Sequence, residues 1–209
     1  MRIAAGALNL AACCFVCHPR HHLIAVHGEV EGHHWHWGMG PDIPCFVPEK
    51  DISIPPSSQR RPPAMVTIDP AKRDLLAVFI GAGKMQASLT HGSKRAGRAL
   101  MHSYWDKRDP AIRTHRHLPK DMFIAELRRS KFCPIFGGNS PWSTRLVEAI
   151  VHGCVPVIFS SWLPPFSRLL RWEDFSVRIS NLTLVPHLKF ILESQPYERL
   201  AANLPLAQG

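Results

Sequence analysis

The stretch that decides the fold spans residues 131–159 and reads KFCPIFGGNSPWSTRLVEAIVHGCVPVIF. Its two apolar runs, at 131–136 and 154–159, have the length of buried strands. Between them, residues 142–152 repeat apolar side chains at helical spacing, and Gly153 follows as a helix stop signal. A strand, a helix and a second buried strand in this order predict a right-handed βαβ unit in a parallel sheet.

The sequence on both sides continues this alternation of strands and helices. We expect further strands at 75–80 and 176–179, and further helices at 93–107, 122–129 and 185–194. The predicted fold class is therefore α/β, with a Rossmann-like parallel sheet and flanking helices over residues 73–209. Within it, Pro134 lacks the N–H of a ladder bond, and it costs one such bond unless its strand lies at a sheet edge.

The chain before this domain divides into two segments. Residues 41–72 are predicted to be a linker, because eight prolines between positions 41 and 70 remove backbone donors and favour extended conformations. A short strand is expected at 51–54 within it. Residues 1–40 show no sustained helical or strand period and are expected to be a poorly ordered or remnant N-terminal segment.

Composition and charge narrow the function classes. The 209 residues are 45% apolar and 20% charged, which excludes a disordered chain. Eleven Lys and Arg against four acids between positions 90 and 131 carry seven of the net nine positive charges. Such a segment attracts phosphates, and composition alone leaves open nucleic acid, a membrane surface, a nucleotide-activated substrate or a solvated basic face. No recognition-helix or RNA-binding aromatic pattern accompanies the charge, so we expect no nucleic-acid partner.

The cysteine, histidine and hydropathy patterns indicate neither a metal site nor a membrane-spanning helix. No zinc-type ligand spacing is present, so no metal site is expected, and the seven histidines between positions 18 and 36 remain unexplained. Cys45, Cys133 and Cys154 are either buried thiols or bridged. The longest apolar stretch, at 3–16, is shorter than the roughly 18–20 residues of a membrane span, and no anchor is visible in this chain.

The turn between the first strand and the helix of the quoted stretch is the first candidate site. Free N–H groups at a helix N-terminus favour an anion, most naturally a phosphate. The predicted phosphate loop consists of Gly137, Gly138, Asn139 and Ser140. The alternative is a capped helix start without a ligand, since the loop lacks both the Walker and the dinucleotide fingerprints.

Arg145 and Glu148 form the second candidate site, because residues three apart share one helix face. They are either an ordinary surface ion pair or a pair of ligand contacts. In the second case Arg145 lies near a diphosphate and Glu148 near ribose hydroxyls.

Several short motifs follow one another in a characteristic order. They are KDISIPP (50–56), DMFIAEL (121–127), SKFC (130–133), PWSTRLVEAI (141–150), GCVPVI (153–158), Trp172 and FSVRI (175–179). Together they resemble the exostosin-like glycosyltransferases, over about residues 42–200, and the wording of PWSTRLVEA is similar to plant and algal cell-wall members, including xylan-synthesis enzymes. Arg95 and Arg98 fall where that family has a paired-arginine motif.

The resemblance implies a GT-B glycosyltransferase that uses a nucleotide sugar, usually UDP-linked, in the Golgi lumen. The matched segment corresponds to the C-terminal, donor-binding half, and most of the N-terminal, acceptor-binding half is missing. Arg98, Ser143, Arg145 and Glu148 are the implied donor contacts, with no cofactor or metal, and the catalytic base cannot be named from this chain.

The implied partners are a nucleotide sugar, a glycan or polysaccharide acceptor and a partner glycosyltransferase subunit. The alternative function is that of a catalytically inactive, truncated remnant that binds a glycan or a partner. Asn181-Leu182-Thr183 is a glycosylation sequon, which is compatible with a lumenal location.

Overall fold

A computed structural model describes the chain in separate ranges, and its central feature is a parallel sheet. The described residues are 25–26, 52–53, 69–82, 94–136, 143–159, 164, 166–167 and 169–207. Two short strands, β1 (Ala25–Val26) and β2 (Ile52–Ser53), pair in parallel. The predicted strand at 51–54 is thus confirmed in its central residues, and β1 adds a strand where the sequence showed no period.

Five parallel strands form the main sheet, and four of them lie where the sequence predicts strands. They are β3 (Leu75–Ile80), β4 (Ile112–His115), β5 (Ser130–Phe136), β6 (Val155–Phe159) and β7 (Val177–Arg178). Their spatial order is β4–β3–β5–β6–β7, and every neighbouring pair is parallel. All five residues of β6 are buried, because helices cover both faces of such a sheet.

In the described residues, three α-helices lie between strands of the main sheet and two follow the last strand. They are α1 (Lys94–Trp105), α2 (Lys120–Arg129), α3 (Thr144–Val151), α4 (Leu188–Glu193) and α5 (Tyr197–Asn203). The step from β3 to β4 runs in one direction across the sheet, whereas the steps from β4 to β5 and from β5 to β6 run in the other. Right-handed connections therefore place α1 on one face of the sheet and α2 with α3 on the opposite face.

Aromatic side chains fill the core at the carboxyl ends of the central strands. The rings of Phe136 and Phe159, the last residues of β5 and β6, stack with centroids 4.4 Å apart. Phe79 of β3 meets Phe136 edge-on at 5.3 Å. These three buried rings close the core at this edge of the sheet.

A buried arginine ties the opposite, amino edge of the sheet together. Arg73, just before β3, donates to the carbonyl oxygens of Leu127 at 2.9 Å, Ser130 at 2.5 Å and His152 at 2.8 Å. One side chain thereby joins the end of α2, the start of β5 and the end of α3. Gly153 has φ of +72°, and a Cβ there would lie 2.6 Å from the Arg73 guanidinium, so only glycine fits.

Cys133 and Cys154 form a disulfide, which settles the choice between thiols and a bridge for these two residues. Cys133 lies on β5 and Cys154 immediately precedes β6, with their Cα atoms 5.9 Å apart. Both are buried. Cys45 lies outside the described residues.

The structure corrects several expectations. Strand β4 and helix α5 were not predicted, and the expected helix at 185–194 is divided into a 3₁₀ helix, Leu182–His187, and α4. Pro134 lies in β5, the central strand, so an edge position does not explain it. The register of β5 with β3 ends at Phe132, two residues before the proline, while the register with β6 continues through Phe136.

No helix in the described ranges is both long and apolar enough to cross a membrane. Nor do these ranges contain a group of three or more His, Cys, Asp or Glu side chains placed to hold a metal ion. The histidine-rich segment 18–36 lies outside the described residues apart from the backbone of β1.

Candidate functional site at the switch point of the sheet

The direction of the strand order reverses between β3 and β5, and the space at their carboxyl ends is called the switch-point crevice below. These strands are neighbours, but the chain leaves β3 toward β4 and leaves β5 toward β6, on the other side. In open α/β sheets, ligands bind at such a switch point, outside the carboxyl ends of the strands. Helices α1 and α3 follow the loops of β3 and β5, so their first turns flank this crevice.

Helix α1 approaches the crevice closely because it carries a glycine in its first turn. A Cβ at Gly97 would overlap the ring of Phe136, the last residue of β5, and would also collide with Leu182. The missing side chain therefore lets α1 lie directly against the end of β5. Arg98 is the next residue and is half-buried, which places this predicted donor contact at the carboxyl edge of the sheet.

Helix α3 begins on the other side of the crevice with a side-chain cap. The Ser143 Oγ accepts a hydrogen bond from the backbone N–H of Arg145 at 3.3 Å. Capping leaves Ser143 fixed at the helix N-terminus, where the helix dipole is positive. The sequence expected a helix from residue 142, and the structure begins it at Thr144.

Arg145 is held between a carboxylate and an aromatic ring. Its guanidinium pairs with the Glu148 carboxylate, as the spacing of three predicted. The guanidinium carbon also lies 4.6 Å from the centre of the Phe123 ring, on α2 of the same sheet face. The Glu148 side chain is only 2% exposed, whereas that of Arg145 is 32% exposed.

This geometry gives the pair a definite electrostatic character. A buried carboxylate is stable only with a partner, and the Arg145 guanidinium supplies the compensating charge. In turn, Glu148 and Phe123 restrict the guanidinium to one orientation at the N-terminus of α3. The capped helix start and the ion pair both exist, and the additional ligand contacts remain a prediction.

His102 adds a further group at the edge of the crevice that the sequence did not single out. It lies on α1, is buried, and its Nε2–H donates to the carbonyl oxygen of Gly81, the residue after β3, at 2.8 Å. Burial is the main cause that lowers the pKa of His102 below its ordinary value, which favours the neutral ring. His102 thus ties α1 to the end of β3.

The proposed phosphate loop cannot be placed. Gly137, Gly138, Asn139 and Ser140 all lie outside the described residues, between the end of β5 and the Ser143 cap. The structure thus brings three predicted donor contacts together on α3, namely Ser143, Arg145 and Glu148.

Comparison with known proteins gives a consistent family assignment. The sequence matches the family described as the exostosin GT47 domain over residues 29–195. A protein named probable glycosyltransferase from Arabidopsis thaliana is 37% identical over 154 residues, which cover 71% of this chain and 28% of that protein. A probable glucuronosyltransferase from Oryza sativa subsp. japonica is 32% identical over 161 residues, which cover 75% of this chain and 37% of that protein.

A probable glucuronoxylan glucuronosyltransferase from Arabidopsis thaliana is 30% identical over 153 residues, covering 71% of this chain and 32% of that protein. The chain thus spans about a third of the length of these curated relatives. Among solved structures, a spinosyn forosaminyltransferase is 16% identical with a TM-score of 0.40. That match covers 75% of this chain and 44% of the chain of the forosaminyltransferase.

Proposed function

The chain belongs to the exostosin GT47 family of glycosyltransferases, and we propose that its sheet domain binds the sugar donor, a UDP-sugar. The diphosphate lies in the crevice between β3 and β5, as the donor-binding half of a GT-B arrangement. Transfer of the sugar to a glycan or polysaccharide acceptor, with or without a partner glycosyltransferase subunit, completes the proposed activity.

The switch-point position of the two arginine-bearing helices is the observation that supports this proposal most strongly. Arg98 lies just after the first turn of α1 and Arg145 lies in the first turn of α3, on either side of the crevice. When the sugar leaves, negative charge grows on the departing diphosphate. Guanidinium groups and a helix N-terminus that are fixed beforehand stabilise that charge without reorganisation.

Each residue has a distinct role in this proposal. Arg145, oriented by Glu148 and Phe123, presents its N–H groups to the diphosphate, and Arg98 adds charge from α1. Ser143 keeps the N-terminus of α3 in place. Glu148 either contacts the ribose hydroxyls or acts only through Arg145, and its burial favours the second role.

The disulfide supports a lumenal location. Disulfides persist in oxidising compartments such as the secretory pathway and are rare in the cytosol. A buried Cys133–Cys154 bridge inside the sheet fits a chain that folds there. Together with the family membership, this is the basis for proposing the Golgi lumen as its site of action.

Thermal protection by UDP tests donor binding. At a UDP concentration about a hundredfold above Kd, binding contributes about 2.7 kcal/mol, which corresponds to roughly 5–10 °C in Tm for a chain of this size. We expect Arg145→Ala to weaken binding by about tenfold to a hundredfold, since one charge-assisted contact contributes about 1.5–3 kcal/mol. Each variant is compared with its own unliganded melting curve.

Arg129→Ala is the matched control. Arg129 pairs with Asp74 at 2.5 Å at the amino edge of the sheet, so its removal should leave the UDP-induced shift unchanged. A melting curve that UDP and UDP-sugars leave unaltered would refute the donor site. Equal loss of protection in the Arg129 and Arg145 variants would show that the effect is not local.

Two smaller probes separate the possible roles of Glu148. If Glu148 contacts ribose, Glu148→Gln weakens protection by uridine and spares that by inorganic pyrophosphate. If it acts by orienting Arg145, pyrophosphate protection is lost and uridine protection is retained. Release of UDP from UDP-sugars in the presence of glycan acceptors then separates an active transferase from a chain that only binds.

A further inference from the structure

The segment after β7 presents a sequon at the surface. The chain contains four asparagines, and only Asn181 begins an N-x-Ser/Thr pattern, Asn181-Leu182-Thr183. Ile179 is still attached to the sheet, with its N–H donating to the carbonyl of Ile158 at 3.0 Å. Beyond it the chain leaves the sheet and begins the 3₁₀ helix Leu182–His187.

The two sequon positions that N-glycosylation depends on, the asparagine and the threonine, are accessible at the surface. Asn181 and Thr183 are both exposed, while Leu182 between them is half-buried. Leu182 packs inward, since its side chain lies where a Cβ on Gly97 of α1 would be. The packing of Leu182 therefore fixes this segment while it leaves the two sequon positions on the outside.

Only the Oδ1 atom of the Asn181 side chain has a hydrogen-bond partner among the described residues. Its Oδ1 accepts a hydrogen bond from the Thr183 backbone N–H at 2.9 Å and so caps the 3₁₀ helix. A glycan on Nδ2 leaves Oδ1 in place, so the cap and the attached glycan are compatible. No rearrangement of the described fold is needed to accommodate a glycan at this position.

We propose that Asn181 is an N-glycosylation site of this protein. The co-reactant is a lipid-linked oligosaccharyl diphosphate. The Nδ2 of Asn181 forms a bond to the anomeric carbon of the first sugar, the bond from that carbon to the diphosphate oxygen breaks, and Nδ2 loses one proton. The lipid diphosphate leaves. This inference rests on the lumenal location of the proposed function, which the buried disulfide supports, but it does not depend on UDP binding.

The position of the glycan has a structural consequence. Asn181 follows β7 at the carboxyl edge of the sheet, and its neighbour Leu182 touches α1 beside Arg98. The glycan therefore stands at the same edge as the switch-point crevice, on the side of α1. There it limits which surfaces of this edge remain open to another protein.

Translation of the full chain, preceded by a cleavable secretion signal, in the presence of microsomes tests the modification directly. We expect one added glycan, which peptide:N-glycosidase removes while leaving an aspartate at position 181. Because addition takes place on the nascent chain, the result does not require the variants below to fold stably. An unmodified chain inside the microsomes, or a glycan at another position, would overturn the proposal.

Three substitutions act as matched controls. Asn181→Asp keeps the oxygen that caps Thr183 but has no Nδ2, so it should abolish the glycan without removing the cap. Thr183→Ala should abolish it while Asn181 is kept, and Thr183→Ser should retain it. A glycan that persists in Thr183→Ala would contradict the assignment. The UDP-induced shift of the glycosylated chain is a separate readout, so donor binding and glycosylation can fail independently.

Discussion

Breaking the Cys133–Cys154 disulfide should destabilise the domain and the candidate site together. The bridge closes a segment with a sequence separation of 21 residues. That segment contains the loop after β5 and the whole of α3, including Ser143, Arg145 and Glu148. The cross-link therefore limits how far this part of the crevice wall can separate from the sheet.

Loop closure gives the magnitude of the effect. In the chain-entropy description, a cross-link over about 20 residues removes roughly 11 cal/mol/K of entropy from the unfolded chain, or about 3 kcal/mol at 25 °C. For a chain of this length, 1 kcal/mol corresponds to about 2–4 °C in Tm. Reduction should thus lower Tm by roughly 6–12 °C.

Melting curves of the oxidised and reduced chain measure this difference. Mass spectrometry of alkylated samples reports the thiol state of Cys133 and Cys154. The double variant Cys133→Ala, Cys154→Ala is the control, because its Tm should not respond to reductant. An unchanged Tm in a sample in which both thiols are shown to be free would refute the argument. If reductant lowers the Tm of the double variant by as much as that of the unmodified sequence, the effect belongs to other cysteines.

Two further predictions concern buried polar groups at other positions. Arg73→Met should lower the free energy of unfolding by at least about 3 kcal/mol, because three buried carbonyl oxygens lose their donor; chemical denaturation measures this, and a loss below 1 kcal/mol would contradict the role of Arg73. Burial raises the pKa of Tyr197 to about 12, from an ordinary 10.0, and its hydroxyl has no hydrogen-bond partner among the described residues. The folded state therefore favours the protonated phenol. The resulting contribution of Tyr197 to the free energy of unfolding is complete below pH 10 and is lost as the pH rises from 10 to 12. Tyr197→Phe should be neutral or stabilising at pH 7 and should reduce the fall in stability over that alkaline interval; an unchanged slope in this variant would assign the loss to other groups.

The strands that were predicted correctly are those whose burial is visible in their composition. Strands β3, β5 and β6 are continuous apolar runs, since both faces are covered. Strand β4, with the sequence IRTH, is short, polar and at the sheet edge, where one neighbour is enough. Its strand conformation depends on pairing with β3 rather than on its own residues, and no local pattern indicated it.

The candidate site shows the same division between local and distant information. The cap of α3 and the Arg145–Glu148 pair follow from helical spacing and were predictable. The aromatic contact of Arg145 with Phe123 depends on the packing of α2 against α3, which sequence spacing does not encode. The disulfide was likewise left open, because the register of β5 and β6 decides whether the two cysteines meet.

The structural role of Arg73 and the proposed donor-binding role of Arg145 lie at opposite edges of this sheet. At the amino edge, Arg73 is fully committed to three carbonyl oxygens, so its charge is turned inward and unavailable to a ligand. At the carboxyl edge, Arg145 is also paired, yet about a third of its side chain remains exposed. A guanidinium with a buried partner and an exposed face keeps its orientation and still has donors for an anion. The difference in exposure, rather than the number of arginines, therefore distinguishes a residue that holds the fold together from one that can serve the donor.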